Sequence, residues 1–134
     1  MTAITATKTK NIGPTASVRA GLGLSALIGL GNLPMLSRDI DWGHEAPPYG
    51  FLMLAAAIGM VSVVCAALAW SSGNRRAIRL NAAALIVNAL MVVPGFFIDI
   101  NATMKALSAV FVLAPLVAVV LTMRRNDAPT PVID

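Results

Sequence analysis

Residues 50–72 read GFLMLAAAIGMVSVVCAALAWSS, 23 consecutive positions without one charged side chain. A helix rising 1.5 Å per residue needs about 20 apolar residues to cross the roughly 30 Å of hydrocarbon in a bilayer. This stretch is long enough. It lacks the period-2 alternation of a barrel strand, and lipid leaves no backbone N–H or C=O group a partner outside its own segment, so a helix is predicted. Three more stretches have the same character: 20–37 (AGLGLSALIGLGNLPMLS), 78–98 (IRLNAAALIVNALMVVPGFFI) and 106–123 (ALSAVFVLAPLVAVVLTM). The first is the richest in glycine and the least apolar of the four.

The composition agrees with these spans. Of 134 residues, 57% are hydrophobic and 12% charged, with mean hydropathy +0.79. A soluble domain carries about 25% charged residues, so this chain has about half the charge that a water-facing surface calls for. One Cys and one His exclude a disulfide scaffold and a Cys-based zinc site. The expected fold is all-α: a polytopic integral membrane protein with four transmembrane helices in a domain over 17–125. Flexible cytoplasmic tails are expected over 1–16 and 126–134.

The sequence pI near 10 and the net charge of +4 would suggest nucleic acid in a soluble chain. The positions of the charges point elsewhere. Lys8, Lys10 and Arg19 precede the first span, Arg75, Arg76 and Arg79 lie between the second and third, and Arg124 and Arg125 follow the fourth. The other connections hold Asp39, Asp41, Glu45 and Asp99, opposed only by Arg38 and Lys105. This alternation follows the positive-inside rule and predicts both termini in the cytoplasm, in a bacterial-type plasma membrane, with the bilayer rather than nucleic acid as partner. Arg38-Asp39 after the first span is no small-residue cleavage site, so that span is expected to stay attached as a helix rather than be removed as a signal peptide.

Shifting the chain by 60 residues aligns Arg19 with Arg79, Pro34 with Pro94, Asp39 with Asp99, Ile40 with Ile100 and Asp41 with Asn101. Two tandem helical hairpins would produce this pattern. Separated by an even number of spans, they would be related by a pseudo-twofold axis along the membrane normal. Within the spans, Gly21, Ser25 and Gly29 form a small-residue row that permits close helix approach, and Ala55 with Gly59 forms a weaker one. Pro94 and Pro115 are expected to kink their spans. Asn81 and Asn88, seven residues apart, share one helix face, and Asn32 lies in the outer part of the first span. These amides either bond across helices or form a polar track along a cavity.

The first acidic connection, Arg38 to Gly50, holds Trp42, Tyr49 and the single His44. Trp42 and Tyr49 fit interfacial anchors. Asp39, Asp41, His44, Glu45 and, from the other acidic connection, Asp99 form a candidate external polar site. Without a second His or a Cys at ligand spacing no metal is assigned to it, and no cofactor is expected. There is no Ser/His/Asp series, phosphate-cradling loop or HExxH, and Cys65 reads as a small apolar residue in a span. No span carries a charge near its centre, which removes the commonest device of ion-coupled transport. The leading expectation is a non-catalytic subunit or scaffold acting through helix contacts with another membrane protein subunit or with its own copies. The alternatives are a small transporter or channel along the pseudo-twofold axis, and a membrane redox or metal-dependent enzyme using His44.

Overall fold

The computed structural model describes residues 14–37 and 39–124. Both proposed tails fall almost wholly outside the described residues, as do Lys8, Lys10, Arg38 and Arg125. Four α-helices account for most of the chain: α1 Ala16–Gly31, α2 Tyr49–Ser72, α3 Arg75–Val92 and α4 Ala102–Met123. With the short 3-10 turns Pro34–Leu36 and Val93–Phe96 that extend α1 and α3, all four are long and apolar enough to cross a membrane. Among the described residues there are no strands, only an isolated antiparallel bridge between Gly43 and Ile100.

Two of the helices, α3 and α4, start earlier than hydropathy predicts because each has a capping side chain. The Asn74 side chain accepts a hydrogen bond from the Arg76 N–H at 2.9 Å, which starts α3 at Arg75 rather than 78. Asn101 does the same for Met104 N at 2.8 Å, which starts α4 at Ala102 rather than 106. Each cap satisfies an otherwise unpaired N–H of the first turn, so the helix begins among polar residues before the apolar run. The two prolines have different settings. Pro94 opens the 3-10 turn after α3 has ended at Val92, so it terminates that helix rather than kinking it, whereas Pro115 is buried inside an α4 that continues past it. At the end of α2, Gly73 adopts φ +62° and its N–H bonds Ala69 O at 2.9 Å, a left-handed cap that glycine adopts without steric cost.

Packing runs round a ring: α1 against α2, α2 against α3, α3 against α4, and α4 back against α1. The parallel pair α1 and α3 therefore lie across a diagonal. One end of the bundle carries Arg19, Arg75, Arg76, Arg79 and Arg124, and the other carries Asp39, Asp41, Glu45 and Asp99. We call these the arginine end and the acidic end. Leu22, Ala66, Ala69 and Ala77 fill the interior near the arginine end, and Ile28, Leu85 and Ala118 fill the middle. The outside is apolar as well: Leu27, Leu113 and Val120 are 68%, 62% and 64% exposed.

The small-residue row on α1 meets three different neighbours. A Cβ added at Gly21 would lie 2.7 Å from Thr122 Cγ2 on α4, and one at Gly29 would collide with the Gly59 carbonyl oxygen on α2. Ser25, between them, points to the bundle centre. Positions four apart drift by about 40° round a helix, so the row turns by about 80° from the α4 side to the α2 side. That is nearly the corner angle of a four-membered ring.

Candidate functional site

Two polar rungs cross the bundle centre. On the first, Asn81 Nδ2 donates to Ser25 Oγ at 2.9 Å and Ser62 Oγ donates to Asn81 Oδ1 at 2.7 Å, while Ser25 Oγ donates to Gly21 O at 2.8 Å. Asn81, Ser25 and Ser62 have almost no exposed surface. This rung ties α1, α2 and α3 together. Two turns nearer the acidic end, Asn32 Nδ2 donates to Asn88 Oδ1 at 3.0 Å. Asn88 Nδ2 is buried and has no hydrogen-bond partner among the described residues. The three asparagines thus fall on two separate rungs, and Leu85 and Ile28 pack in the interior between the levels of Asn81 and Asn88.

Between the second rung and the acidic end lies a cavity of about 220 Å³, lined by residues of α2, α3 and α4 and of both acidic connections, with Asn32 and Met35 from just beyond α1. Its wall is almost wholly apolar. Trp42, Phe51 and Phe111 supply rings, Met35, Met91 and Met104 supply thioethers, and Asn32, Ser108 and the indole N–H of Trp42 are polar groups on lining residues. Among the described residues no lining side chain is ionisable. Ala55 and Trp42 both lie in this wall. Gly59, in the same small-residue row as Ala55, makes a close helix approach: a Cβ on it would sit 2.8 Å from Gly29 O.

A clasp closes the acidic end. Asn101, besides capping α4, donates its Nδ2 to Asp41 O at 2.9 Å and its backbone N–H to Trp42 O at 3.3 Å. Gly43, at φ +90°, bridges Ile100, and its N–H bonds Asp41 Oδ1 at 3.0 Å. Asp41 and Asn101, which coincide at the 60-residue shift, therefore meet. The two 3-10 turns, at Pro34 and Pro94, also follow that spacing, but the rungs join residues 56 apart and α2 and α4 begin 53 apart. The difference of seven residues is the extra length of the first acidic connection.

The candidate external polar residues do not converge. Asp39, Asp41, His44, Glu45 and Asp99 are all exposed, and among the described residues no three His, Cys, Asp or Glu side chains come together as a metal group. Of the lining residues, Asn32 was offered by the sequence for a polar track along a cavity; the Phe, Met and Leu side chains carried no such signal, because the same residue types cover an apolar outer surface. Compared with protein-family models, with curated proteins and with solved structures, the chain matches none.

Proposed function

We propose that this chain is a four-span integral membrane protein that works without catalysis, as a subunit or scaffold held to another membrane protein or to its own copies through helix contacts in the bilayer. The arginine end faces the cytoplasm and the two hairpins are related by a pseudo-twofold axis along the membrane normal. The observation that carries the reading is the filled bundle axis: the Ser25–Asn81–Ser62 rung and the side chains of Leu22, Leu85 and Ala118 occupy the centre, and no ionisable group lies among them. A transport path along the axis would have to break that rung. The apolar exterior supplies the lipid-facing and partner-facing surface, as expected for a helix that is hydrophobic all round.

The positions of the arginines within the helices are consistent with that orientation. Arg19, Arg75 and Arg76 lie in the first turns of α1 and α3, where the helix macrodipole disfavours positive charge by about 0.3–1 kcal/mol each. Helix stability does not account for them there, whereas the positive-inside rule does.

Extraction of the full chain into lipid nanodiscs, followed by cross-linking and mass measurement, tests the assignment. A stoichiometric membrane partner or a defined homo-oligomer is expected. A lone monomer that cross-links to nothing would overturn it.

A further inference from the structure

We propose that the cavity at the acidic end binds one small neutral ring compound bearing a hydroxyl group, a phenol in the simplest case. This inference is independent of whether the bundle has a protein partner.

Size comes first. A dry apolar cavity of about 150 Å³ accepts benzene, so 220 Å³ holds a single ring with a short substituent. The wall favours a ring over a flexible chain, because Trp42, Phe51 and Phe111 offer aromatic faces and edges and the three methionines offer sulfur contacts that adapt to a ring's outline. Charge comes next. With no ionisable side chain in the lining among the described residues, a charged ligand would find no compensating charge there, so the occupant is neutral.

The polar groups specify the hydroxyl. Asn32 is 5% exposed and lines the cavity; its Nδ2 is used on Asn88, and its Oδ1 accepts no hydrogen bond among the described residues. Ser108 Oγ, also in the lining, is likewise without a bond among them. Directly behind Asn32, Asn88 Nδ2 is buried and unpaired. A buried polar group left unpaired is costly, and apolar pockets with a few convergent polar groups are the usual form of a small-molecule site. A hydroxyl both donates and accepts, so it can satisfy Asn32 Oδ1 and engage Ser108, whereas a pure hydrocarbon leaves both unmet.

Trp42 lines the cavity and reports on its contents. The test uses the full chain in zwitterionic nanodiscs with Trp70→Phe, which leaves Trp42 as the single indole of the two. Its fluorescence is titrated with 4-ethylphenol and with ethylbenzene, each corrected for partition into protein-free nanodiscs. A saturable change is expected, with ethylbenzene about tenfold weaker, the worth of one net hydrogen bond. Ser108→Ala is expected to narrow that preference. Filling the cavity through Ala55→Phe, or through Leu52→Phe should the first variant fail to fold, is expected to abolish saturation. A change that never saturates, or equal affinity for the two compounds, would overturn the proposal.

Discussion

Gly29 and Gly23 lie six residues apart on the same helix and face opposite physical demands. At Gly29 an added methyl group runs into the backbone of Gly59 and lies 2.7 Å from Val63 Cγ2, so α1 and α2 must separate to admit it. At Gly23 the nearest atom to an added Cβ is Trp70 Cζ3 at 3.9 Å, an ordinary contact. Overpacking a close interface costs about 1–3 kcal/mol. Gly29→Ala is therefore expected to lower stability by about that amount in denaturant or steric-trap unfolding, while Gly23→Ala changes it by less than about 0.5 kcal/mol or raises it through helix propensity. Equal effects at the two positions would mean that α1 and α2 do not touch at Gly29 and Gly59. Both residues were legible in the sequence as members of small-residue rows, but which neighbour each one meets was not. Spacing fixes a position on the helix face, and the partner depends on how the other three helices are arranged round it. Asn81 and Asn88 were legible in the same partial way. Their seven-residue spacing puts them on one face, yet nothing in a hydropathy pattern singles out Ser25 and Ser62 among the serines as the partners of Asn81.

Asn101 bonds in two directions, and its two side-chain polar atoms serve different elements. Oδ1 caps α4 through Met104 N, while Nδ2 holds Asp41 O in the opposite connection. Asn101→Asp keeps an acceptor that favours the helix N-terminus but removes the donor. Hydrogen exchange is expected to rise in the 39–48 connection of this variant and to stay unchanged in the first turn of α4. Asn101→Ala is expected to raise exchange in both, at a cost of about 1 kcal/mol for the lost cap. If the two variants behave alike, the clasp and the cap are not separate. Element boundaries show where sequence reading falls short. Apolar runs located all four helices, but Arg75, Arg76 and Lys105 made the first turns of α3 and α4 look like loop. Asn74 and Asn101 were the available signal, since asparagine is a strong N-cap, and weighing capping against hydropathy would have moved both starts.

The whole molecule has a pattern that its composition anticipates and a feature that it conceals. So low a charge content cannot cover a four-helix bundle with polar groups, and the apolar exterior of α2 and α4 follows directly. The cavity is concealed because aromatic and sulfur-containing side chains turned inward at the acidic end are chemically the same as those turned outward along the helices. The central proposal concerns the bundle as a unit, namely that it spans a membrane with its arginine end in the cytoplasm and its acidic end outside. The chain offers a direct route to that question, since Cys65 is its single cysteine and is buried. In a Cys65→Ala background, one new cysteine is introduced at Glu45 or at Asn74 and treated with a membrane-impermeant maleimide in intact cells. Labelling at position 45 without permeabilisation, and at position 74 only after it, is the expected result. Labelling of both positions in intact cells, or of position 74 alone, would contradict the account.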